Sequence, residues 1–205
     1  ELYSCPVFNQ AEREEYLSLD PEIKRTLARL EKIETRVYLI LLIGYFRAKP
    51  VVPKFKLRDV KQDVEYIYST YFPDKKPKYP VIKKNTRATL ILKMYSILGF
   101  ERFSKQHQQE LIVRLQDVAT ICTYPKYIFD ECLAFFGQKR TGLAGYSTLQ
   151  SIITNVLASE RQRTEDILSC HMPDTTQEKL QKILHTKDLL NSLSPYKGSA
   201  KDFSP

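Results

Sequence analysis

The sequence predicts an all-α protein: two small helical bundles with helix-turn-helix-like elements, joined by a proline- and lysine-rich linker. Three observations carry that expectation. Apolar residues recur at i, i+3, i+4 and i+7 along nearly all of the chain. Helix-start and helix-stop residues punctuate these runs repeatedly. No strand pattern of comparable quality appears.

Each element has a local cause. Asn9 with Glu12 three residues later is a capping box before a short helix. Asp20-Pro21 pairs a cap with proline at the first helical position, and Ile23, Leu27 and Leu30 follow on one face. Thr35 to Arg47 is apolar on nearly every side, the pattern of a buried central helix, and Pro50 and Pro53 end it. Leu57, Val60, Val64 and Ile67 predict a helix over 57–68, with Arg58, Lys61, Gln62 and Glu65 on its other face. Pro73, Pro77 and Pro80 break the chain over 73–80. A second unit starts near Asn85 as a cap, with Ala88, Ile91, Leu92, Tyr95 and Leu98 apolar and Gly99 as the stop. Ser104 opens a helix carried by Leu111, Leu115, Val118 and Ala119. Pro125 starts the next, with Ile128, Cys132, Leu133 and Phe136 inward.

After the loop 137–146 comes the cleanest amphipathic pattern, helix 147–159, with Leu149, Ile152, Ile153, Val156 and Leu157 on one face. Thr175 with Glu178 caps a last helix running to about Leu190. The expected organisation is therefore 1–74, a linker 75–80, a second unit 81–193 and a linker-like tail 194–205.

The chain has 205 residues, and 42% of them are hydrophobic, enough for a real core. Its longest uncharged apolar run, Val37 to Phe46, is ten residues, about half of a membrane span, which excludes an integral membrane helix. No signal-peptide pattern opens the chain, and its first residue, Glu, reads as the start of a segment of a longer protein. Four cysteines without a C-x-x-C pair read as reduced cytosolic thiols.

Net charge is +8, and its distribution says more than its total. Residues 47–93 hold thirteen bases and four acids, a net of +9, while the rest of the chain sums to −1. Such a strip is the electrostatic footprint of a protein that binds a phosphate backbone. Within it, Lys54, Lys56, Arg58, Lys61, Lys83, Lys84 and Arg87 are the candidate phosphate contacts.

Helix 147–159 adds a second candidate surface. Ser147, Thr148, Gln150, Ser151, Thr154 and Asn155 give it a polar face of short, uncharged hydrogen-bonding side chains, the chemistry that reads base edges in a major groove. Lys139 and Arg140 in the preceding loop stand where phosphates beside the groove would lie.

No catalytic constellation is present. His107, His171 and His185 are far apart, and Cys170 and His171, being adjacent, point apart on a helix. There is no phosphate-binding loop, no H-E-x-x-H and no G-x-S-x-G. None of the thirteen tyrosines is singled out as a nucleophile. The expectation is a binding module without enzymatic activity, metal or cofactor.

Several blocks resemble the N-terminal DNA-binding region of transposases of the Tn-three family of replicative bacterial transposons. They are Arg36 with Gly44-Tyr45-Phe46-Arg47-Ala48; Phe55 with Asp63-Val64-Glu65-Tyr66-Ile67; and Arg87 through Leu98-Gly99-Phe100-Glu101-Arg102-Phe103. Thr123-Tyr124-Pro125 and Gly145-Tyr146-Ser147-Thr148-Leu149-Gln150 complete the set, which spans about residues 9–190. Tyr38 and Leu42 stand where the family leads one to expect Gly and Gln, and Gly145 where Pro is common. The resemblance implies recognition of transposon terminal inverted repeats in double-stranded DNA, and a bacterial, cytoplasmic, nucleoid-associated setting. It also implies that catalysis belongs to a downstream RNase H-like domain of the same polypeptide, which nothing in these residues matches. Two other readings fit the charge pattern: a helical protein-interaction module whose basic face meets an acidic protein, and the DNA-binding arm of another recombinase.

Overall fold

The computed structural model describes residues 3–185, and among them it contains nine α-helices and no strand, so the fold is all-α. The helices are α1 (Gln10–Tyr16), α2 (Pro21–Ala28), α3 (Ile33–Ala48), α4 (Lys61–Tyr71), α5 (Lys84–Leu98), α6 (Lys105–Ala119), α7 (Pro125–Lys139), α8 (Tyr146–His171) and α9 (Asp174–His185).

The caps expected at Asn9, Asp20 and Ser104, the proline start at Pro125 and the glycine stop at Gly99 are in place. Asn9 and Glu12 form the reciprocal capping box of α1, and the Asp20 carboxylate accepts from the Glu22 and Ile23 N–H groups. Ser104 caps α6, and the His107 ring returns the contact to the Ser104 N–H at 3.3 Å. Pro125 is the first residue of α7, and Gly99 closes α5 in the left-handed conformation at φ 64°.

Several elements differ from expectation. α4 starts at Lys61, because the Asp59 carboxylate accepts from the Lys56 N–H and holds 56–59 in a local turn that competes with helix. Asn85 lies inside α5 and caps nothing; Lys83 occupies the cap position, and the buried face is Leu90, Met94 and Tyr95, leaving Ala88 and Leu92 exposed. α8 runs on to His171, since no Gly or Pro interrupts it before Pro173. Three pairs brace its outer turns: Glu160–Arg163, Arg161–Glu165 and Gln162–Asp166. The last helix begins at Asp174, with Thr175 inside it; its expected extension over 186–190 and the tail 194–205 lie outside the described residues.

Residues 1–157 form one compact unit and residues from 158 on a second. Within the first unit there are two hydrophobic cores. The first surrounds α3, whose residues Val37–Phe46 are all buried, and gathers α1, α2, α4 and α5. The second joins Leu111, Leu115 and Ala119 of α6, Ile128, Cys132, Phe135 and Phe136 of α7, and Leu149, Ile152 and Val156 of α8. The cores therefore divide between Phe100 and Phe103, not at 75–80. The proline-rich segment packs Tyr79 and Ile82 against the first core, and the Tyr79 hydroxyl donates to Glu65 at 3.0 Å. The second unit comprises the outer turns of α8 and α9; in it Arg163 grips Glu160 through two nitrogens at 2.6 and 2.8 Å.

Among the described residues, no helix is long and apolar enough to cross a membrane, and no group of three His, Cys, Asp or Glu side chains is placed to hold a metal ion.

Candidate nucleic-acid interface

The segment between α3 and α4 is the hub of the candidate site. Along 53–58, burial alternates: Pro53, Phe55 and Leu57 turn inward, while Lys54, Lys56 and Arg58 are exposed. Over 53–56 this alternation is what an extended chain produces, since successive side chains point to opposite sides, and the turn at 57–60 then buries Leu57 and exposes Arg58. Phe55 is held between two tyrosines of α3, stacked on Tyr38 at 4.7 Å and edge-on to Tyr45 at 5.2 Å. The inward anchors thus fix the backbone and leave Lys54, Lys56 and Arg58 exposed.

Distant parts of the chain converge on this hub. The Leu143 N–H, in the turn before α8, donates to the Pro50 carbonyl at 3.1 Å. Arg87 of α5 donates through Nη2 to the Pro53 carbonyl at 2.9 Å and through Nε to the Tyr38 hydroxyl at 3.2 Å. Tyr3 donates to the Ala144 carbonyl at 2.8 Å and sets its ring edge-on to Tyr146. Below the hub, Asp63 (5% exposed) accepts from Arg13 Nε at 2.7 Å and from the Tyr45 hydroxyl at 2.6 Å. Burial, followed by the Asp63 contact, pushes the Tyr45 hydroxyl pKa far up, so it stays a donor.

The candidate cations divide into two groups. Lys54, Lys56 and Arg58 on the hub, Lys61 at the first position of α4, Lys83 at the α5 cap and Lys84 after it are all exposed. Arg87 is not available as a phosphate contact: it is half-buried and spent on Tyr38 and Pro53. Lys139 and Arg140 are exposed but have partners in the protein. α7 extends to Lys139, whose Nζ meets Glu110 at 2.8 Å and holds that carboxyl below the usual range. Arg140 donates to the Leu98 carbonyl at 3.1 Å and lies 5.3 Å from the Phe100 ring centre. Arg47, also in the basic strip, is held by Asp20 and the Ser18 carbonyl.

The polar face of α8 stands as its spacing implies. Tyr146, Ser147, Gln150, Ser151, Thr154 and Asn155 are exposed, Thr148 is half-buried, and Leu149, Ile152 and Val156 are buried on the opposite side. α7 and α8 follow one another across the turn 140–145, which is longer than the three or four residues usual in a helix-turn-helix. Sequence reasoning missed Lys75 and Lys76, both exposed, and missed the period-2 alternation of 53–58, which was the signal that separates the outward cations from their anchors.

No curated protein and no solved structure matches the chain. Residues 1–156 match a family described as a domain of unknown function, DUF4158, and the match ends where the first compact unit ends. The chain belongs to the DUF4158 family.

Proposed function

We propose that this chain binds double-stranded DNA sequence-specifically, with loop 50–60 and the start of α5 on phosphates and the polar face of α8 on base edges. The observation that carries the reading is the hub itself. Lys54, Lys56 and Arg58 are the exposed residues of an anchored segment that Arg87 of α5 holds at Pro53 and that the turn before α8 meets at Pro50. A row of fixed cations next to an uncharged hydrogen-bonding helix face is the division of labour of a specific DNA-binding protein: phosphate contacts set register and base contacts select sequence. The resemblance to Tn-three-family transposases gives the target, the terminal inverted repeats of a transposon, and gives the partner, a downstream catalytic domain of the same polypeptide. On this reading the segment is a binding module and the chemistry belongs to that other domain.

A salt titration on duplex DNA tests the reading. Six exposed cations (Lys54, Lys56, Arg58, Lys61, Lys83 and Lys84) are available, and counterion release gives a slope of about −0.9 per phosphate contacted. The expected slope of log K against log salt is about −4 to −6. A flat response removes the basic hub as the DNA contact.

A further inference from the structure

Arg140 combines two features that ordinarily exclude each other. Its backbone is left-handed, at φ 48° and ψ 47°, and among the described residues no other non-glycine has positive φ. Glycine is the usual occupant of this position after a helix, because a Cβ is disfavoured there. The side chain of Arg140 crosses to the other core: it passes over Gly99, donates to the Leu98 carbonyl at the end of α5, and rests on Phe100. Phe100 in turn packs edge-on against Phe46 of α3, 5.0 Å between centres.

The backbone closes the same clasp. The Glu101 N–H donates to the Arg140 carbonyl at 2.9 Å, and the Gly142 N–H donates back to the Glu101 carbonyl at 3.0 Å. These two bonds make the parallel bridge of Glu101 and Thr141. Thus the joint between α5 and α6 grips the joint between α7 and α8, at the place where the two cores divide. A residue kept in a disfavoured conformation and used on both sides of a joint points to a positioning role.

We propose that Arg140 is a positioning residue that clamps the two cores, so that the basic hub and α8 meet one continuous duplex site as a single rigid surface. The functional half of this statement rests on the DNA-binding reading; the mechanical half does not. Without the Arg140 side chain, the Glu101–Arg140–Gly142 backbone bonds and the Leu143–Pro50 bond remain, and the spacing of the two contact regions would vary more about residues 98–102.

The decisive measurement is the distance distribution between spin labels carried by unnatural amino acids at Lys54 and Ser151, both exposed, in the DNA-free protein. Wild type should give one narrow separation. Arg140→Gly keeps the left-handed turn without the side chain, and it should give a broadened distribution while circular dichroism and the melting curve stay close to wild type. Arg140→Lys, which retains the charge and not the fork, should fall between them. Phe100→Leu, which removes the ring beneath the guanidinium, reads the same clamp if Arg140→Gly does not fold. Equal distributions in wild type and the variants, or a broad one already in wild type, overturn the proposal. On duplexes selected from a random library, Arg140→Gly should lose about tenfold of its preference for selected over scrambled DNA, the equivalent of one good base contact, with the salt slope retained. Absence of any salt-dependent binding by wild type would fail the DNA-binding reading instead, and the label distances would still judge the clamp.

Discussion

Arg87 Nε donates to the Tyr38 hydroxyl at 3.2 Å, joining the first turn of α5 to the central helix α3. The same guanidinium holds the Pro53 carbonyl, so one arginine fixes both the entry of α5 and the backbone that carries Lys54 and Lys56. Tyr38 is 2% exposed, and burial pushes its pKa up despite the lowering effect of Arg87, so the hydroxyl is neutral at pH 7. A cation inside a basic strip here acts as a brace.

Arg87→Ala and Lys83→Ala should therefore differ in kind. Arg87→Ala leaves a buried hydroxyl and a carbonyl without their donor and should cost about 1–3 kcal/mol in urea unfolding. Lys83→Ala should leave the urea midpoint unchanged and make the salt slope on duplex DNA shallower by about one unit.

Gln150→Ala should weaken binding to the cognate inverted repeat by about 1–3 kcal/mol, the worth of one bidentate amide–adenine pair, and leave scrambled duplex unaffected. Electrophoretic or anisotropy titrations on both duplexes at two salt concentrations measure this. Silence at Ser147, Thr148, Gln150 and Asn155 alike removes α8 from the recognition surface and leaves the exposed face of α4 as the next candidate.

Asp63 holds two partners below the hub, at 2.6 and 2.7 Å. Asp63→Ala leaves Arg13 Nε and the Tyr45 hydroxyl without their acceptor, with Arg13 Nη2 still on Gln62 at 2.9 Å, and should cost about 3 kcal/mol. Tyr45→Phe removes one donor while Arg13 stays, and should cost about 1–3 kcal/mol. Equilibrium unfolding of the two variants orders these values; equal losses would show that the ion pair contributes nothing beyond the tyrosine contact.

Gly142 is buried beneath Tyr95, and a Cβ placed there would overlap the Tyr95 hydroxyl. Gly142→Ala should destabilise by about 1–3 kcal/mol through overpacking. Because the obstruction is shared by two residues, Tyr95→Phe should recover part of that loss, and a double-mutant cycle should give a coupling energy of at least about 0.5 kcal/mol.

Thiol reactivity follows burial. Burial raises the Cys5 thiol to about 11 and the Cys132 thiol to about 12, whereas Cys170 is exposed. A raised thiol pKa leaves less of the reactive thiolate at pH 8. Iodoacetamide at that pH should label Cys170 first and Cys132 last, as read by peptide mass spectrometry. Rapid labelling of Cys132 would mean that the second core opens readily.

The helix boundaries fixed by single side chains were legible in the sequence. Asn9, Asp20, Ser104, Gly99 and Pro125 act within about four residues of themselves, so neighbouring letters suffice to place them. The polar face of α8 was legible for the same reason, since a helix repeats its exposure every three or four residues. Misjudged boundaries came from local competition: the turn closed by Asp59 delayed α4, and α5 started without any side-chain cap.

Sequence by itself determined the all-α class, the central place of α3, the basic middle of the chain and the polar face of α8. Each follows from composition or from a period of a few residues. Only the tertiary structure decided that α5 joins the first core, because an apolar helix face specifies burial and not the partner that provides it. It also decided which cations are offered to solvent. Arg87 and Arg140 find their partners 49 and 42 residues away in the chain, at Tyr38 and Leu98. A charge count treats them as equal to Lys54. Folding brings these acceptors within their reach, and for Arg87, whose acceptors are largely buried, leaving them unpaired costs more than a phosphate contact forgone at the surface.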